Sequence, residues 1–330
     1  MRDIAEAQLI ALDWGTTSVR VYLIDRDAQI VAERRDSLGI MQVAARAREH
    51  GIQLETAFEQ TLGQLCRDWM ETYPRIPIIA CGMVGSQQGW TEAAYRSVPA
   101  DLASPEFELT TVHTSSGRRL HIIPGVADLK ELPDVMRGEE TQVLGAMEIS
   151  GIPSDSELEQ MFLLPGTHSK WVTVRGRIIT KFSTSMTGET FALLSSHSIL
   201  SRLIEPTPTV NWDAFERGVH VSLKTDGATE IMLTAFSART LVLTGRLQPI
   251  DAGDYLSGLM IGAEIRSIMG APNAGEMLPL TICGNHELSM RYTRALRIFG
   301  IADVTELQDT APKGIWAVAN SSGLLQIPAV

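Results

Sequence analysis

Residues Leu12-Asp13-Trp14-Gly15-Thr16-Thr17-Ser18-Val19-Arg20-Val21-Tyr22 return in altered form as Leu163-Leu164-Pro165-Gly166-Thr167-His168-Ser169-Lys170-Trp171-Val172-Thr173, at a constant offset of 151 residues. Each copy is an apolar strand, a Gly-Thr turn and a second strand that alternates toward and away from a core, the pattern of a β-hairpin. A tip rich in Gly, Thr and Ser offers backbone N–H groups and hydroxyls, and at glycine no Cβ keeps a phosphate away. Two such tips, one in each half of the chain, point to two half-sites for one polyphosphate.

The 330 residues exceed the size at which a single core stops growing, so two domains are expected, residues 1–152 and 153–330. A composition of 44% hydrophobic and 20% charged residues is that of an ordinary globular protein. The formal net charge of -11 opposes nonspecific binding to nucleic acid or an anionic membrane. Any anionic ligand must therefore be met by specific groups. Cys66, Cys81 and Cys283 are widely spaced and lack a C-x-x-C pair, which favours reduced thiols and a cytoplasmic setting. Asp3 and Glu6 precede a short apolar strand, so neither a signal peptide nor a membrane span is expected.

The first half reads as a meander of strands Leu9–Asp13, Val19–Ile24 and Ile30–Arg34. The stripe Leu54, Phe58, Thr61, Leu62, Leu65 and Trp69 then predicts an amphipathic helix to Thr72, followed by a buried strand over 76–81. The leading half-fold is β-β-β-α-β. A polar loop, Gly82 to Trp90, follows at the carboxyl end of that strand, where open α/β sheets place ligands. A strand Leu120–Val126, a helix Pro133–Ile149 with proline in its first turn, and a break at Gly151-Ile152-Pro153-Ser154 complete this half. The second half repeats the meander over Met161–Leu164, Lys170–Val174 and Ile178–Phe182. Helices are expected over Thr190–Leu203, Asp213–Leu223, Ala228–Thr240 and Asp251–Ser267, then a strand 278–283, a helix Glu287–Phe299 and a short helix Lys313–Asn320. This duplicated α/β plan resembles the two-domain actin-like ATPase fold, built from two ribonuclease H-like domains around a cleft, of the sugar kinase, Hsp70 and actin superfamily. Such a fold serves kinases, phosphatases, chaperones and filament proteins, so side chains must decide the function.

Asp13 ends the first strand just before the tip, where a carboxylate holds hydrated Mg²⁺ against phosphates. An aspartate there more often only caps a turn, but Gly15, Thr16, Thr17 and Arg20 follow it and match the superfamily's first phosphate segment. In the second copy Leu164-Pro165 replaces the aspartate that many relatives carry, and Gly166, Thr167, His168 and Lys170 offer phosphate donors instead. Gly284 and Asn285, with Ser289 and Tyr292 beyond them, resemble the superfamily's adenosine turn. Phosphoryl transfer to an alcohol also needs a carboxylate that orients the hydroxyl and accepts its proton. Glu140 is the first candidate for that base, with Glu139 and Asp128 as rivals; adjacent glutamates at a helix start are otherwise a solvated face. No H-E-x-x-H, P-loop or G-x-S-x-G motif is present.

The segments Leu164-Pro165-Gly166-Thr167-His168-Ser169-Lys170-Trp171, Gly82-Met83-Val84-Gly85-Ser86, Arg137-Gly138-Glu139-Glu140-Thr141-Gln142 and Met186-Thr187-Gly188-Glu189-Thr190 together resemble the 2-dehydro-3-deoxygalactonokinase family. The resemblance implies ATP-dependent phosphorylation of the sugar acid 2-dehydro-3-deoxy-D-galactonate at its C6 hydroxyl, in galactonate catabolism, and suggests a homodimer. Ser86, Gln87 and Trp90 from the first domain and Thr187, Gly188 and Glu189 from the second are then the expected walls of the substrate cleft. An exopolyphosphatase-like hydrolase and a noncatalytic actin-like assembly protein are the rival readings.

Overall fold

The apolar run Ala7–Trp14 forms strand β1, and Val19–Asp25 (β2) and Ile30–Asp36 (β3) complete an antiparallel meander. Helices α1 (Ile40–His50) and α2 (Leu54–Thr72) lead to β4 (Ile78–Cys81). There follow β5 (Tyr95–Ser97), β6 (Ala100–Asp101), β7 (Thr110–His113), β8 (Arg119–Ile122), β9 (Gly125–Asp128), β10 (Asp134–Met136) and α3 (Glu139–Ser150). A second meander comprises β11 (Glu159–Leu164), β12 (Ser169–Arg175) and β13 (Ile178–Ser185). Helices α4 (Thr187–His197), α5 (Trp212–Leu223), α6 (Ile231–Thr234), α7 (Ser237–Leu243) and α8 (Ala252–Met269) come next. Strand β14 (Leu280–Cys283), helix α9 (His286–Ile298), strand β15 (Val304–Leu307) and helix α10 (Ala311–Ser321) end the chain's regular structure. This computed structural model describes residues 7–101, 104, 108–153, 155–205, 207–224, 231–270 and 278–325. Asp3, Glu6, Ser154 and the start of the expected helix at Ala228 lie outside those residues.

Two units are distinguished: residues 1–159, 172–182 and 309–330 form unit 1, and residues 160–171 and 183–308 form unit 2. In unit 1 one sheet has the order β3-β2-β1-β4-β8-β7, with β4 parallel to both β1 and β8. The stripe read from α2 lands in this core: Phe58, Leu62, Leu65 and Trp69 are buried against β1 and its neighbours. Phe58 stacks on Trp90 with ring centres 5.7 Å apart, and the edge of Trp14 meets both rings. In unit 2, β11 lies parallel to β14 and β14 to β15. Phe215, Ile261, Ile265, Leu296 and Phe299 from α5, α8 and α9 form the core there. No helix among the described residues is long and apolar enough to cross a membrane.

Several expectations are corrected. The helix expected from Pro133 begins at Glu139, because Asp134–Met136 pairs with β9 and Gly138 takes φ 109°, which ends any helix entering from that side. The single strand expected over Leu120–Val126 is two strands in different sheets, interrupted at Pro124, which has no N–H to donate to a ladder. The helix expected over Thr190–Leu203 starts at Thr187 and stops at His197, where the Ser198 side chain caps a new short turn by accepting from the Leu200 N–H. The helix expected to reach Thr240 is divided into α6 and α7; α6 has no fully buried residue and only Ile231 packs against the core, which leaves little to hold a longer helix there. The half-fold also contains α1, unforeseen between β3 and α2, whose Ile40, Val43 and Ala47 are buried and which ends on Gly51 in the left-handed region.

Trp90, expected to line a cleft, is 5% exposed and stacked in the core of unit 1. Trp90→Ala should therefore lower unfolding free energy by about 3–5 kcal/mol in urea denaturation. A cost below about 1 kcal/mol would mean that the ring is peripheral.

Candidate active site

In unit 1, β1 and β4 run side by side with Asp13 opposite Cys81, and Asp13 is also directly across from Arg20 on β2. The Cys81 thiol donates to Asp13 Oδ1 at 3.9 Å. Burial raises the Asp13 carboxyl above its usual range, and the Arg20 charge opposes the shift. Arg20 is itself held by Asp309, at 3.0 Å, just before α10. Asp309 takes φ 49°, a left-handed conformation that aspartate tolerates better than most residues. Nothing in the sequence pattern distinguishes Asp309 from a loop acid.

After Cys81 the chain turns at Gly82 with φ 89°, and a Cβ there would lie 2.8 Å from the Trp14 carbonyl oxygen. A Cβ on Gly138 would lie 3.1 Å from Gly82 Cα. Two bare glycine backbones thus bring the start of α3 against the ends of β1 and β4. Gly138 has no side chain to cap the helix, and the two glutamates that follow fold back onto the backbone that leads into it. The Arg137 N–H donates to Glu139 at 3.0 Å, and the Gly138 N–H donates to Glu140 at 2.7 Å. The Thr141 hydroxyl donates to the other Glu140 oxygen at 2.9 Å.

Both glutamates therefore accept from backbone N–H groups just before α3, yet they differ in environment. Glu140 is 0% exposed, and burial first, then the neighbouring Glu139 charge, pushes its carboxyl up to about 8. Bonds from Thr141 and Gly138 oppose the rise without cancelling it. The Cys81 thiol is raised by burial and by the charges of Asp13 and Glu140. Asp13, Cys81 and Glu140 thus form one electrostatic cluster. Asp128, the third carboxylate candidate, is buried in the three-stranded sheet β10-β9-β5 and is engaged by Lys130.

The tip between β1 and β2 leaves Thr16, Thr17 and Ser18 exposed. Its carbonyls are tied down: Gly15 and Thr16 accept from the Ile40 and Met41 N–H groups at the start of α1. Ser86 donates to the Met83 carbonyl at 2.7 Å, and Gln87 is exposed.

Unit 2 repeats this construction. Thr167 in the second tip accepts from the Glu189 N–H at the start of α4, at 2.9 Å. A Cβ on Gly188 would meet the Gly166 carbonyl oxygen at 2.2 Å, so Gly188 seats the tip on the helix. Thr187, Gly188 and Glu189 accordingly support the tip, and Glu189 pairs with His168 at 2.5 Å. Lys170 is buried on β12 and donates to Thr184 at 2.6 Å. Gly284 comes close to Pro165, and the Asn285 side chain caps α9 by accepting from the Leu288 N–H.

Beneath this tip lies a buried carboxylate that sequence reading missed. Glu264, on the nearly all-buried α8, accepts from Trp171 Nε1 at 2.7 Å and from the Tyr292 hydroxyl at 2.8 Å. Tyr292 and Ser169 are joined at 2.8 Å. Burial raises the Glu264 carboxyl, and hydrogen bonds from Thr187, Trp171, Tyr292 and Ser169 oppose it. A glutamate set in the apolar run Leu259-Met260-Ile261-Gly262-Ala263-Glu264-Ile265 of that helix was the available signal.

Comparison with known proteins places these features in context. Residues 13–318 match the family model described as 2-keto-3-deoxy-galactonokinase. The chain is 33% identical over 318 residues to the 2-dehydro-3-deoxygalactonokinase of Escherichia coli K12, covering 96% of this chain and 98% of that protein. A Sinorhizobium meliloti protein provisionally assigned the same activity has a crystal structure with TM-score 0.78 and 30% identity, covering 98% of each chain. A Clostridium difficile activator of 2-hydroxyisocaproyl-CoA dehydratase, solved with bound ADPNP, shares the fold at TM-score 0.51 and 12% identity over 98% of each chain. The fold is that of the actin-like ATPases.

The raised Glu140 carboxyl has a thermodynamic consequence. Between its ordinary value of 4.5 and about 8 the folded chain holds a proton that the unfolded chain releases. Its contribution to stability is thus full below pH 4.5, falls by up to about 1.4 kcal/mol per pH unit as pH rises, and is lost above about 8. Glu140→Gln should remove this fall, so urea unfolding at pH 6, 7 and 8 should show the variant gaining on the wild type at each step. A constant difference across that range would show that Glu140 does not titrate there.

Proposed function

Since the chain belongs to the 2-keto-3-deoxy-galactonokinase family, and is a kinase for that sugar acid, we propose that Glu140 is the base that receives the proton of the attacking hydroxyl. ATP supplies the phosphoryl group. Neither a phosphohydrolase nor a noncatalytic assembly protein is favoured by the relatives. The observation that carries the assignment of the base is the buried Glu140 carboxyl, raised to about 8, beside Cys81, whose thiol also feels the Asp13 charge at the neighbouring strand end. A carboxylate with so high a proton affinity is a far better acceptor than a solvated glutamate.

In the proposed reaction the sugar-acid C6 oxygen bonds to the γ-phosphorus of ATP as the bond to the β-γ bridging oxygen breaks, releasing ADP. The hydroxyl proton passes to a Glu140 oxygen. Phosphoryl transfer asks little covalent help of a protein, so alignment of that hydroxyl is the larger part of the role of Glu140. The exposed hydroxyls and N–H groups of Thr16, Thr17 and Ser18 in unit 1, and those of the Gly166–His168 tip in unit 2, are proposed as phosphate contacts. His168 is available for this in competition with Glu189.

Magnesium fits the unit 1 site: Mg²⁺ asks for one or two carboxylates plus substrate phosphates, and Asp13 is a hard oxygen donor buried enough to gain from a cation. Asp13 would hold it, and the ion would neutralise charge on the phosphates. A cytoplasmic setting belongs to the same proposal, in keeping with the free thiols of Cys66, Cys81 and Cys283.

A coupled ADP assay tests this reading. Wild-type protein with ATP and magnesium should release ADP only when 2-dehydro-3-deoxygalactonate is present, with kcat/KM rising toward pH 8. Glu140→Gln should lower kcat by about 10²–10⁴-fold at little change in KM. Unchanged turnover in that variant would move the role to Glu139 or Asp128.

A further inference from the structure

Arg137 immediately precedes the Gly138-Glu139-Glu140 segment and is 7% exposed. Its Nη2 donates to the Ala93 carbonyl at 2.7 Å, and its guanidinium carbon stands 4.2 Å from the centre of the Tyr95 ring. Nε and Nη1 are buried with no hydrogen-bond partner. Among the described residues no carboxylate forms an ion pair with it. Arginine cannot shed its proton to escape burial, so this is an internal cation met by an aromatic face and one carbonyl, with N–H groups at Nε and Nη1 that lack acceptors. Gly85 makes room for it: a Cβ there would stand 3.1 Å from Nη1. Gly85 and Ala93 belong to the segment that follows β4, whose last residue, Cys81, is paired with Asp13.

A chain of net charge -11 holds 39 acidic side chains, yet among the described residues none forms an ion pair with this guanidinium. Its freedom from them is what an anion-binding residue requires, since an internal carboxylate would compete with the ligand. Resting on the kinase reading above, we propose that Arg137 binds the carboxylate of the sugar acid. Its planar donor set suits a carboxylate, and one end of the substrate would be fixed by Arg137 while the hydroxyl at the other end is presented to Glu140. Nε and Nη1 are closed over in this conformation, so binding entails a movement of the Arg137 side chain itself, with Trp90 left seated in the core. The surrounding apolar contacts make the interaction strong, and sugars lacking a carboxylate would leave the cation unpaired.

The test compares kcat/KM for 2-dehydro-3-deoxygalactonate with that for its methyl ester, in wild type, Arg137→Lys and Arg137→Met, with thermal melting to establish folding. Wild type should prefer the acid by about a hundredfold or more. Arg137→Met should lose most of that preference through a higher KM for the acid while leaving the ester nearly unchanged. Arg137→Lys, which keeps the charge, should retain part of it. Should Arg137→Met fail to fold, the Arg137→Lys ratio decides: an undiminished acid-to-ester preference overturns the proposal. Equal losses on acid and ester in either variant also overturn it, assigning Arg137 to holding the Gly85–Ala93 segment. Wild-type protein inactive on the acid would instead overturn the kinase reading itself.

Discussion

The near-contact of Gly138 with Gly82 is the constraint on which the unit 1 site depends. At 3.1 Å from a hypothetical Cβ to the opposing Cα, any side chain at position 138 would push α3 away from the ends of β1 and β4. The positive φ of both residues adds a second reason for glycine. Because α3 starts against these strand ends, Glu140 is taken fully out of water while remaining in the electrostatic range of Asp13's neighbour Cys81. Desolvation, rather than a single partner, then sets its proton affinity. At the same place Glu139 and Glu140 turn back to accept from the N–H groups of Arg137 and Gly138.

A different device shapes the second tip. There the supporting group is Glu264, buried beneath the hairpin and held by an indole N–H and a phenol. With these donors turned on one carboxyl group, Glu264 is an acceptor whose bonds fix Trp171, Tyr292 and, through Tyr292, Ser169. Such a network holds the tip's flanking strand rigid without placing a formal charge at the surface. The two tips therefore share a seat on a helix N-terminus, but unit 1 places a carboxylate at the strand end whereas unit 2 places Leu164 and Pro165 there.

Much of this was legible in the sequence because it follows from local periodicity. The 151-residue repeat located both meanders, and the Phe58-to-Trp69 stripe located the helix that covers β1. Asp13, Glu140 and the Gly166-Thr167 tip could be named as candidates from strand ends and glycine turns, whereas the full burial of Glu140 and the raised carboxyl that follows from it are properties of three-dimensional packing. What escaped was nonlocal. Trp90 reads as a loop residue beside a polar segment, and only the approach of Phe58, 32 positions earlier, makes it core. Asp309 meets Arg20 from the far end of the chain. Pro133 looked like a helix start, yet strand pairing with β9 and the φ of Gly138 overrode that local preference.

The protonation state of Glu140 is the central claim, and infrared difference spectroscopy reads it directly. The wild-type spectrum minus that of Glu140→Gln, recorded from pH 5 to pH 10, isolates the carbonyl stretch of this one carboxyl. The account predicts a protonated-carboxyl band at neutral pH that disappears with a midpoint near 8. A carboxylate signal at every pH above 5 would contradict it.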